Sequence, residues 1–288
     1  MLLLFKHYPL ELVFYIFSKA FLRLLKVLKV QTSIIANQLS LENLVKRNPL
    51  NKKVKKIDMD GLTFYIRGND YTDFLTITSP TYEKTVMLFL QRVSLKKPGA
   101  FFDVGAHIGT YALRVAKMLP NTKVLAIEPS PLSAWLLGKS IECNGLGNVK
   151  VIPRAAYSVD GMVINLYFSD FSTGNTIYER HPKRSEIKLT KSIKVQTITL
   201  DNLAETNKLT RPIFLKIDAE GAEWEILNGA KKLIHVVDEM LLEIHYPAEK
   251  LDKGLCFCDV CIYLRGQGLI IQTVSSDKKS HTIYGLRL

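Results

Sequence analysis

From residue 100 onward, the sequence alternates between short apolar runs and longer amphipathic stretches. Each apolar run has four or five residues and predicts a buried β-strand, whereas the stretches between them have helical spacing. The predicted strands are Ala100–Val104, Lys123–Ile127, Val149–Ile152, Ile213–Ile217 and residues 240–244, and the predicted helices are residues 110–119, 130–144 and 222–227. This alternation predicts an α/β fold with a doubly wound, mostly parallel sheet, whose ligands bind at the carboxyl ends of the strands.

Weaker patterns on either side of this core predict the remaining elements. Alternation at residues 59–66, with a turn at Asp60-Gly61, and again at residues 73–78 predicts a β-hairpin, followed by a helix that begins at Ser79-Pro80. The further predicted elements are β-like runs at residues 162–168 and 193–200, a helix at 254–266, and a closing antiparallel hairpin at 269–274 and 282–286.

The composition is that of a globular protein with a substantial core, since 47% of the 288 residues are apolar and 23% are charged. The four cysteines follow no secretory signal, so the sequence favours a reducing, cytoplasmic compartment over a disulfide framework. The formal net charge is +12, and residues 1–60 carry eleven Lys and Arg against four acids. Residues 180–194 carry six Lys and Arg against one Glu. Such patches favour an anionic partner, which could be a phospholipid surface, a phosphate-bearing substrate or nucleic acid.

The first thirty residues are rich in Leu, Phe and Tyr, yet they predict neither a signal peptide nor a transmembrane span. Their longest uncharged run, residues 12–18, has seven residues, whereas a spanning helix needs about twenty. Basic residues recur near one helical face, which predicts a basic amphipathic helix. This helix either contacts an anionic membrane peripherally through residues 10–30 or packs on the core. We therefore predict a helical extension at residues 1–58 and an α/β domain at residues 59–288.

The candidate chemistry begins where the strand Ala100–Val104 runs into a glycine turn and a helix. Asp103, Gly105 and Gly109 define this turn, and Glu128 ends the next strand, nineteen residues past Gly109. Glycines let a ligand approach the backbone, and the helix N-terminus offers free N–H groups. An acid at the tip of the neighbouring strand can accept two hydrogen bonds from a ribose diol. The pattern therefore predicts a ligand that contains a nucleoside.

Asp103 indicates which nucleoside-containing ligand this is. Dinucleotide sites aim helix N–H groups at a pyrophosphate, which a nearby carboxylate would repel, and they usually carry a third glycine. A ligand with a cationic amino group would instead be attracted to Asp103. S-adenosylmethionine has both the ribose and the amino group, so we predict it as the cofactor in preference to a nicotinamide dinucleotide.

Five motifs in one order then resemble the FkbM-type methyltransferase family. They are D-V-G-A-H-I-G at 103–109, E-P at 128–129, T-L-D at 199–201, K-I-D-A-E-G-A-E at 216–223 and L-E-I-H at 242–245. The motif at 216–223 is the most specific of them. The resemblance implies a class I, Rossmann-like methyltransferase fold, to which the closing hairpin is suited. It also implies S-adenosylmethionine-dependent O-methylation of a hydroxyl, in many members on a sugar, glycolipid or polyketide.

By position, the resemblance places the cofactor around the glycine turn and the neighbouring strand tips. The implied cofactor-binding residues are Asp103, Gly105, Ala106, His107, Gly109, Thr110, Glu128, Ala156 and Asp218. Glu128 is expected to bind the ribose, and Asp218 to face the methionine end near the methyl group. The sequence departs from the family at His107, where Asn is usual. At Ala155-Ala156 it offers no side-chain acceptor for the adenine amino group, so the backbone would have to serve.

Methyl transfer requires an aligned acceptor, exclusion of water and a base that takes the hydroxyl proton. His245 is the first candidate for this base because imidazole has an unperturbed pKa of about 6.5. Asp218 and Glu220 are the other predicted catalytic residues and could orient or polarise it. Each has a structural alternative, since His245 precedes a turn at Pro247 and the two acids lie near a helix start.

Other interpretations of the sequence are weaker. The cysteines at positions 256, 258 and 261 lie in a predicted helix and lack a second pair at finger spacing, so we predict a core role and no metal site. A nucleic-acid methyltransferase would suit the net charge, but the loop at 218–221 has two carboxylates that would repel a phosphate backbone. A non-catalytic, membrane-associated protein with this fold is a third interpretation. We expect a small-molecule, sugar or glycolipid acceptor.

Overall fold

The computed structural model describes residues 54–287, apart from 69, 79, 171, 180–187, 246–250, 253–254, 257 and 277–280. The predicted amphipathic helix, Ser79 at the predicted start of the following helix and much of the second basic stretch lie outside the described residues. Within the described ranges, no helix combines the length and the apolar character needed to cross a membrane.

The elements are numbered in chain order. The strands are β1 (Val54–Met59), β2 (Leu62–Arg67), β3 (Ala100–Val104), β4 (Lys123–Ile127), β5 (Val149–Ile152), β6 (Ala155–Ala156), β7 (Val163–Ser169), β8 (Leu189–Ile198), β9 (Ile213–Ile217), β10 (Glu239–Ile244), β11 (Leu251–Asp252), β12 (Leu255–Cys256), β13 (Ile270–Ser276) and β14 (His281–Leu286). The helices are α1 (Tyr71–Thr78), α2 (Pro80–Lys96), α3 (Thr110–Met118), α4 (Pro131–Cys143), α5 (Leu200–Thr206), α6 (Glu223–Asn228), α7 (Lys231–Ile234) and α8 (Asp259–Gly266).

Seven strands form the central sheet in the order β5-β4-β3-β9-β10-β14-β13. The first five are parallel, and β14 runs antiparallel to both β10 and β13. The predicted α/β fold, with a mostly parallel sheet and a closing antiparallel hairpin, is confirmed. The chain order reverses between β3 and β9, and in such folds the ligand crevice lies at the carboxyl ends of the strands at this point.

The central strands are apolar on both faces, which is why they appear in the sequence as continuous apolar runs. Successive side chains of a strand point to opposite faces of the sheet. Phe101 packs into the core on one face and Phe102 into the core on the other, and both are fully buried. A sheet of this kind must be covered by helices on both sides, as the alternation of strands and helices predicts.

The segment before the central sheet differs from its prediction. β1 and β2 form an antiparallel hairpin around Asp60-Gly61, so the predicted domain boundary between residues 58 and 59 falls inside a strand. Residues 73–78 are not a strand, because they belong to helix α1. The buried residues of α1 are Asp73, Thr76 and Ile77, whose spacing of three and four is helical rather than alternating.

Two further boundaries differ from the sequence pattern. The strand predicted to reach residue 200 ends at Ile198, because Thr199 caps helix α5 and its Oγ1 accepts a hydrogen bond from the backbone N–H of Asn202 at 3.1 Å. The helix predicted from residue 254 begins at Asp259. Cys258 and Cys261 pack in the apolar core. Strand β8 pairs with β6 and β7, and this small sheet flanks the crevice.

Candidate active site

The glycine turn after β3 packs directly against the loop after β9. Gly105 has a φ of 71°, and a Cβ built on it would lie 1.8 Å from the carbonyl oxygen of Asp218. The two loops can approach this closely because Gly105 has no side chain. Gly109 has a different role, since a Cβ there would lie 2.4 Å from Cδ1 of Leu137 in α4. Gly105 therefore shapes the crevice, whereas Gly109 allows α3 to pack on α4.

Glu128 lies at the tip of β4 and lines the same crevice. Its Oε2 accepts a hydrogen bond from the backbone N–H of His107 at 2.9 Å, and its Oε1 accepts one from the backbone N–H of Ser130 at 2.8 Å. Burial raises the pKa of Glu128, although these N–H groups favour the ionised form. Each carboxylate oxygen has a second lone pair, so Glu128 can still accept hydrogen bonds from ligand hydroxyls.

Asp103 is buried beneath the glycine turn and does not line the crevice. Its Oδ2 accepts a hydrogen bond from the backbone N–H of Ala112 at 3.0 Å, and its Oδ1 lies 3.3 Å from Nζ of Lys216. Burial raises the pKa of Asp103, and the nearby carboxylates keep the pKa of Lys216 raised although burial alone would lower it. The cation beside Asp103 is therefore Lys216, where the sequence led us to expect the amino group of the donor.

The crevice forms one cavity that opens to solvent. The predicted site residues that line it are Gly105, Ala106, His107, Thr110, Glu128, Ala156, Asp218 and Glu220. The predicted site residues Asp103, Gly109 and His245 are buried outside its wall. Thr76 and Lys216, to which the sequence assigned no role, also line the cavity, as do Ser172 and Thr176 of the polar loop at residues 172–176. The sequence did offer a signal for Lys216, because this residue is charged and lies inside the otherwise apolar strand β9.

His107 connects the glycine turn to the residues that precede the sheet. Its Nε2 lies 2.6 Å from Nη2 of Arg67 and 3.0 Å from Oγ of Ser172. The guanidinium of Arg67 donates two hydrogen bonds to the fully buried Asp73, from Nη2 to Oδ1 at 2.7 Å and from Nε to Oδ2 at 2.8 Å. Burial would raise the pKa of Asp73, but the His107 ring and the Arg67 guanidinium hold that pKa well below its usual range. Arg67 and Ser172, which lie outside the family motifs, thus fix the side chain of His107, the residue that stands where the family usually has Asn.

The predicted catalytic residues converge at one end of the cavity. Asp218 and Glu220 lie in the loop after β9, and His245 follows β10. Nε2 of His245 lies 3.4 Å from Oε2 of Glu220, 3.6 Å from Oε1 of Glu243 and 3.9 Å from Oδ1 of Asp218. The other ring nitrogen, Nδ1, lies 2.7 Å from Oε1 of the buried Glu223. Four carboxylates therefore surround one imidazole.

The position of His245 differs from that of a general base facing an acceptor. Burial alone would lower the pKa of His245, but the hydrogen bond to Glu223 and the charge of Glu220 raise it to about 10. The His245 residue is 2% exposed and does not line the cavity, whereas Asp218 and Glu220 do. Carboxylates, rather than the imidazole, therefore face the space where an acceptor would bind.

The strand order, the glycine crevice where the strand order reverses and the acid at the tip of β4 define a class I methyltransferase fold. The family model described as the methyltransferase FkbM domain matches residues 103–264, which is more than half of the chain. The chain therefore belongs to the FkbM methyltransferase family, and the cofactor is S-adenosylmethionine.

The chain is also similar to curated methyltransferases. It is 28% identical over 156 residues to the hexuronic acid methyltransferase AglP of Haloferax volcanii, which covers 52% of this chain and 58% of AglP. It is 25% identical over 140 residues to Methyltransferase 1 of Beauveria bassiana, which covers 44% of this chain and 56% of that protein. The chain spans little more than half the length of these relatives.

Solved structures with a similar course of the chain have low sequence identity to it. TYW2 from M. jannaschii, in complex with AdoMet, aligns with a TM-score of 0.46 and 14% identity over 83% of this chain and 88% of that chain. Precorrin-6y C5,15-methyltransferase from Geobacter metallireducens GS-15 aligns with a TM-score of 0.42 and 9% identity over 74% of this chain and 91% of that chain.

Proposed function

We propose that this chain is an S-adenosylmethionine-dependent O-methyltransferase that acts on a hydroxyl of a sugar, glycolipid or other small molecule. The observation that carries the proposal is a single cavity that joins Glu128 to the acid pair Asp218 and Glu220. A donor whose ribose binds Glu128 extends its methionine portion towards Asp218. Membership of the FkbM family supports S-adenosylmethionine as the methyl donor. The acid pair supports a hydroxyl group as the acceptor, because a hydroxyl must lose its proton during methylation.

The walls of the cavity fit the remaining parts of the donor. Ile127, Ala155 and Ala156 line the cavity near Glu128 and offer an apolar surface to an adenine ring. No acidic side chain stands at Ala155 or Ala156, so backbone groups recognise the adenine amino group. Asp103 supports this site indirectly, because it holds the glycine turn from beneath through Lys216 and the N–H of Ala112.

The reaction needs alignment and a proton acceptor, because a sulfonium is already an excellent leaving group. The hydroxyl oxygen of the acceptor forms a bond to the methyl carbon as the bond from that carbon to sulfur breaks. The hydroxyl proton passes to a carboxylate of the acid pair, for which Glu220 is our first candidate, and S-adenosylhomocysteine leaves. His245 stands behind the pair and orients it, rather than taking the proton itself.

The name of one relative supports a sugar acceptor, and the positive charge of strand β8 supports an anionic one. The relative AglP is named for a hexuronic acid, which is a sugar with a carboxylate. Strand β8 and the residue before it carry the exposed side chains of Lys188, Lys191 and Lys194 on the small sheet that flanks the cavity. These lysines favour an anionic acceptor or an acceptor at an anionic surface.

The predicted extension at residues 1–58 adds a peripheral membrane contact to the proposal. Its basic amphipathic helix would bind an anionic surface through residues 10–30 and bring a lipid-linked acceptor to the enzyme. Flotation of the full chain with anionic vesicles tests this, with the variant Arg23→Glu/Lys26→Glu for comparison. We expect the charge reversal to reduce co-flotation, and equal flotation of the two proteins would contradict the membrane contact.

Profiling of metabolites and glycolipids in a deletion strain tests the acceptor class. We expect a sugar-containing species that is lighter by one CH₂ and that the purified chain methylates when S-adenosylmethionine is added. Methylation of nucleic acid instead would favour the alternative of a nucleic-acid methyltransferase. Donor binding without any methylated product in the extract would favour a non-catalytic protein with this fold.

A further inference from the structure

Asp218, Glu220 and His245 are closer together than proton transfer alone requires. One oxygen of each carboxylate and one ring nitrogen lie within 4.8 Å of one another. The distances from Nε2 of His245, 3.4 Å to Glu220 and 3.9 Å to Asp218, are long for hydrogen bonds. Around a cation with bonds of about 2.1 Å, neighbouring ligand atoms lie about 3 Å apart and opposite ones about 4.2 Å apart. The observed distances fall between these limits.

His245 provides a second and independent indication of a ligand. The residue is 2% exposed, and among the described residues its Nε2 takes part in no hydrogen bond although it faces the acid pair. Its Nδ1 lies 2.7 Å from Oε1 of Glu223, which accepts the Nδ1 proton. Nε2 therefore points at the two acids, and its lone pair would be available to a cation that displaces the Nε2 proton. Metal-ligating histidines almost always donate their other N–H to a carboxylate or a carbonyl in this way.

The charge of the surroundings also favours a cation. Among the described residues, Lys216 is the lysine that pairs with Asp218, and its Nζ lies 3.8 Å from Oδ2 of Asp218 but only 3.3 Å from Oδ1 of Asp103. The charge of Lys216 is therefore shared with a second carboxylate. Glu243 adds another acid 3.6 Å from the imidazole. A divalent cation would reduce the repulsion among these carboxylates.

We propose that Asp218, Glu220 and His245 bind one divalent cation, Mn²⁺ or Mg²⁺, at the floor of the cavity, with Glu223 holding His245 in orientation. Two carboxylates and one imidazole form a mixed oxygen and nitrogen ligand set, which Mn²⁺ accepts readily. Because Asp218 and Glu220 line the cavity, the remaining coordination positions face the space of the acceptor. This assignment differs from the sequence prediction of no metal site.

The catalytic role of the cation depends on the proposed methyl transfer to a hydroxyl. A hydroxyl bound to the cation is oriented towards the donor and loses its proton more easily. The bond changes are the same as without the cation, with one oxygen–carbon bond formed, one carbon–sulfur bond broken and the proton passed to a carboxylate or to water. Binding of the cation itself requires neither donor nor acceptor.

Titration of the full-length chain with MnCl₂ tests the site. The protein is treated with EDTA and desalted, and free Mn²⁺ is followed by its electron paramagnetic resonance signal. We expect one Mn²⁺ per chain, with Asp218→Asn and Glu220→Gln each weakening the affinity by at least about tenfold. Both substituted side chains are partly exposed, so circular dichroism should show an unchanged fold.

The matched control is Glu205→Gln, an exposed acid on α5 that pairs with Lys232, and it should retain the wild-type affinity. A wild-type chain that binds no Mn²⁺, or acid variants that bind it like wild type, would overturn the proposal and leave a protonated His245 as the cation of the cluster. Calorimetry with S-adenosylmethionine runs in parallel. Intact donor binding without Mn²⁺ binding removes the cation site alone, whereas absent donor binding removes the proposed function.

Discussion

Lys216 and Asp103 are register partners on the adjacent parallel strands β9 and β3, and Nζ of Lys216 lies 3.3 Å from Oδ1 of Asp103. Both side chains are buried. Nζ of Lys216 also donates a hydrogen bond to the carbonyl oxygen of Gly105 at 3.0 Å. The pair therefore joins the glycine turn to the strand that leads into Asp218.

Removal of one member of this pair leaves an uncompensated buried charge. Lys216→Met is expected to lower the free energy of unfolding by about 3–5 kcal/mol, as measured by chemical denaturation. The double variant Asp103→Asn/Lys216→Met should lose less than the sum of the two single variants. Lys232→Met, which breaks an exposed pair with Glu205, is the control and should change stability by less than about 1 kcal/mol. A similarly small effect of Lys216→Met would contradict the role of the pair.

Gly105→Ala should disrupt the donor site. The new Cβ would lie 1.8 Å from the carbonyl oxygen of Asp218, and the φ of 71° is unfavourable for alanine. We expect a lower melting temperature and loss of S-adenosylmethionine binding by calorimetry. Gly138→Ala in α4 is the matched control, because a Cβ there meets nothing within 4 Å and alanine stabilises a helix by roughly 0.5–1 kcal/mol. Equal donor binding by both variants would argue against the tight turn.

The contribution of Asp73 to stability should disappear in acid. Its pKa in the folded protein lies below the unfolded value of about 3.9, because Arg67 and His107 stabilise the carboxylate. The stabilisation is therefore complete at neutral pH and declines as the pH falls below about 4. The measurement is the difference in free energy of unfolding between wild type and Asp73→Asn from pH 7 down to pH 3. A difference that stays constant below pH 4 would contradict the assignment.

Glu220→Gln should separate turnover from donor binding. The amide keeps the size of the side chain but accepts a proton far less readily, so methyl transfer should fall by about a hundredfold or more. Donor affinity by calorimetry should change little, because Glu128 lies at the other end of the cavity. The assay follows S-adenosylhomocysteine formation with the acceptor fraction from the deletion strain, and Glu205→Gln is the control. Wild-type turnover in Glu220→Gln would exclude Glu220 as the proton acceptor.

The sheet and the turn were predictable because both follow from local pattern. Five apolar runs and their helices determine the parallel order, and Gly105 and Glu128 lie at strand tips where ligands bind in such folds. Residues 73–78 were mispredicted as a strand because polar and apolar residues alternate at Thr76, Ile77 and Thr78. The side chain of Asp73 is buried only through a partner, Arg67, that local periodicity does not reveal.

The acid cluster could be predicted as residues but not as an arrangement. His245 and Glu223 are twenty-two positions apart, and the sequence does not show that a buried carboxylate holds the ring from behind. Similarly, the register of β3 and β9 places Lys216 beside Asp103, so the cation expected from the donor is supplied by the chain itself. Both differences come from contacts between residues that are far apart in the sequence.

Calorimetric titration of the full chain with S-adenosylmethionine, in wild type and in Glu128→Ala, tests the central claim most directly. We expect wild type to bind one donor molecule per chain and to prefer it over NAD, and Glu128→Ala to lose most of that affinity while remaining folded. Absence of donor binding in wild type, or an unchanged affinity in Glu128→Ala, would contradict the account.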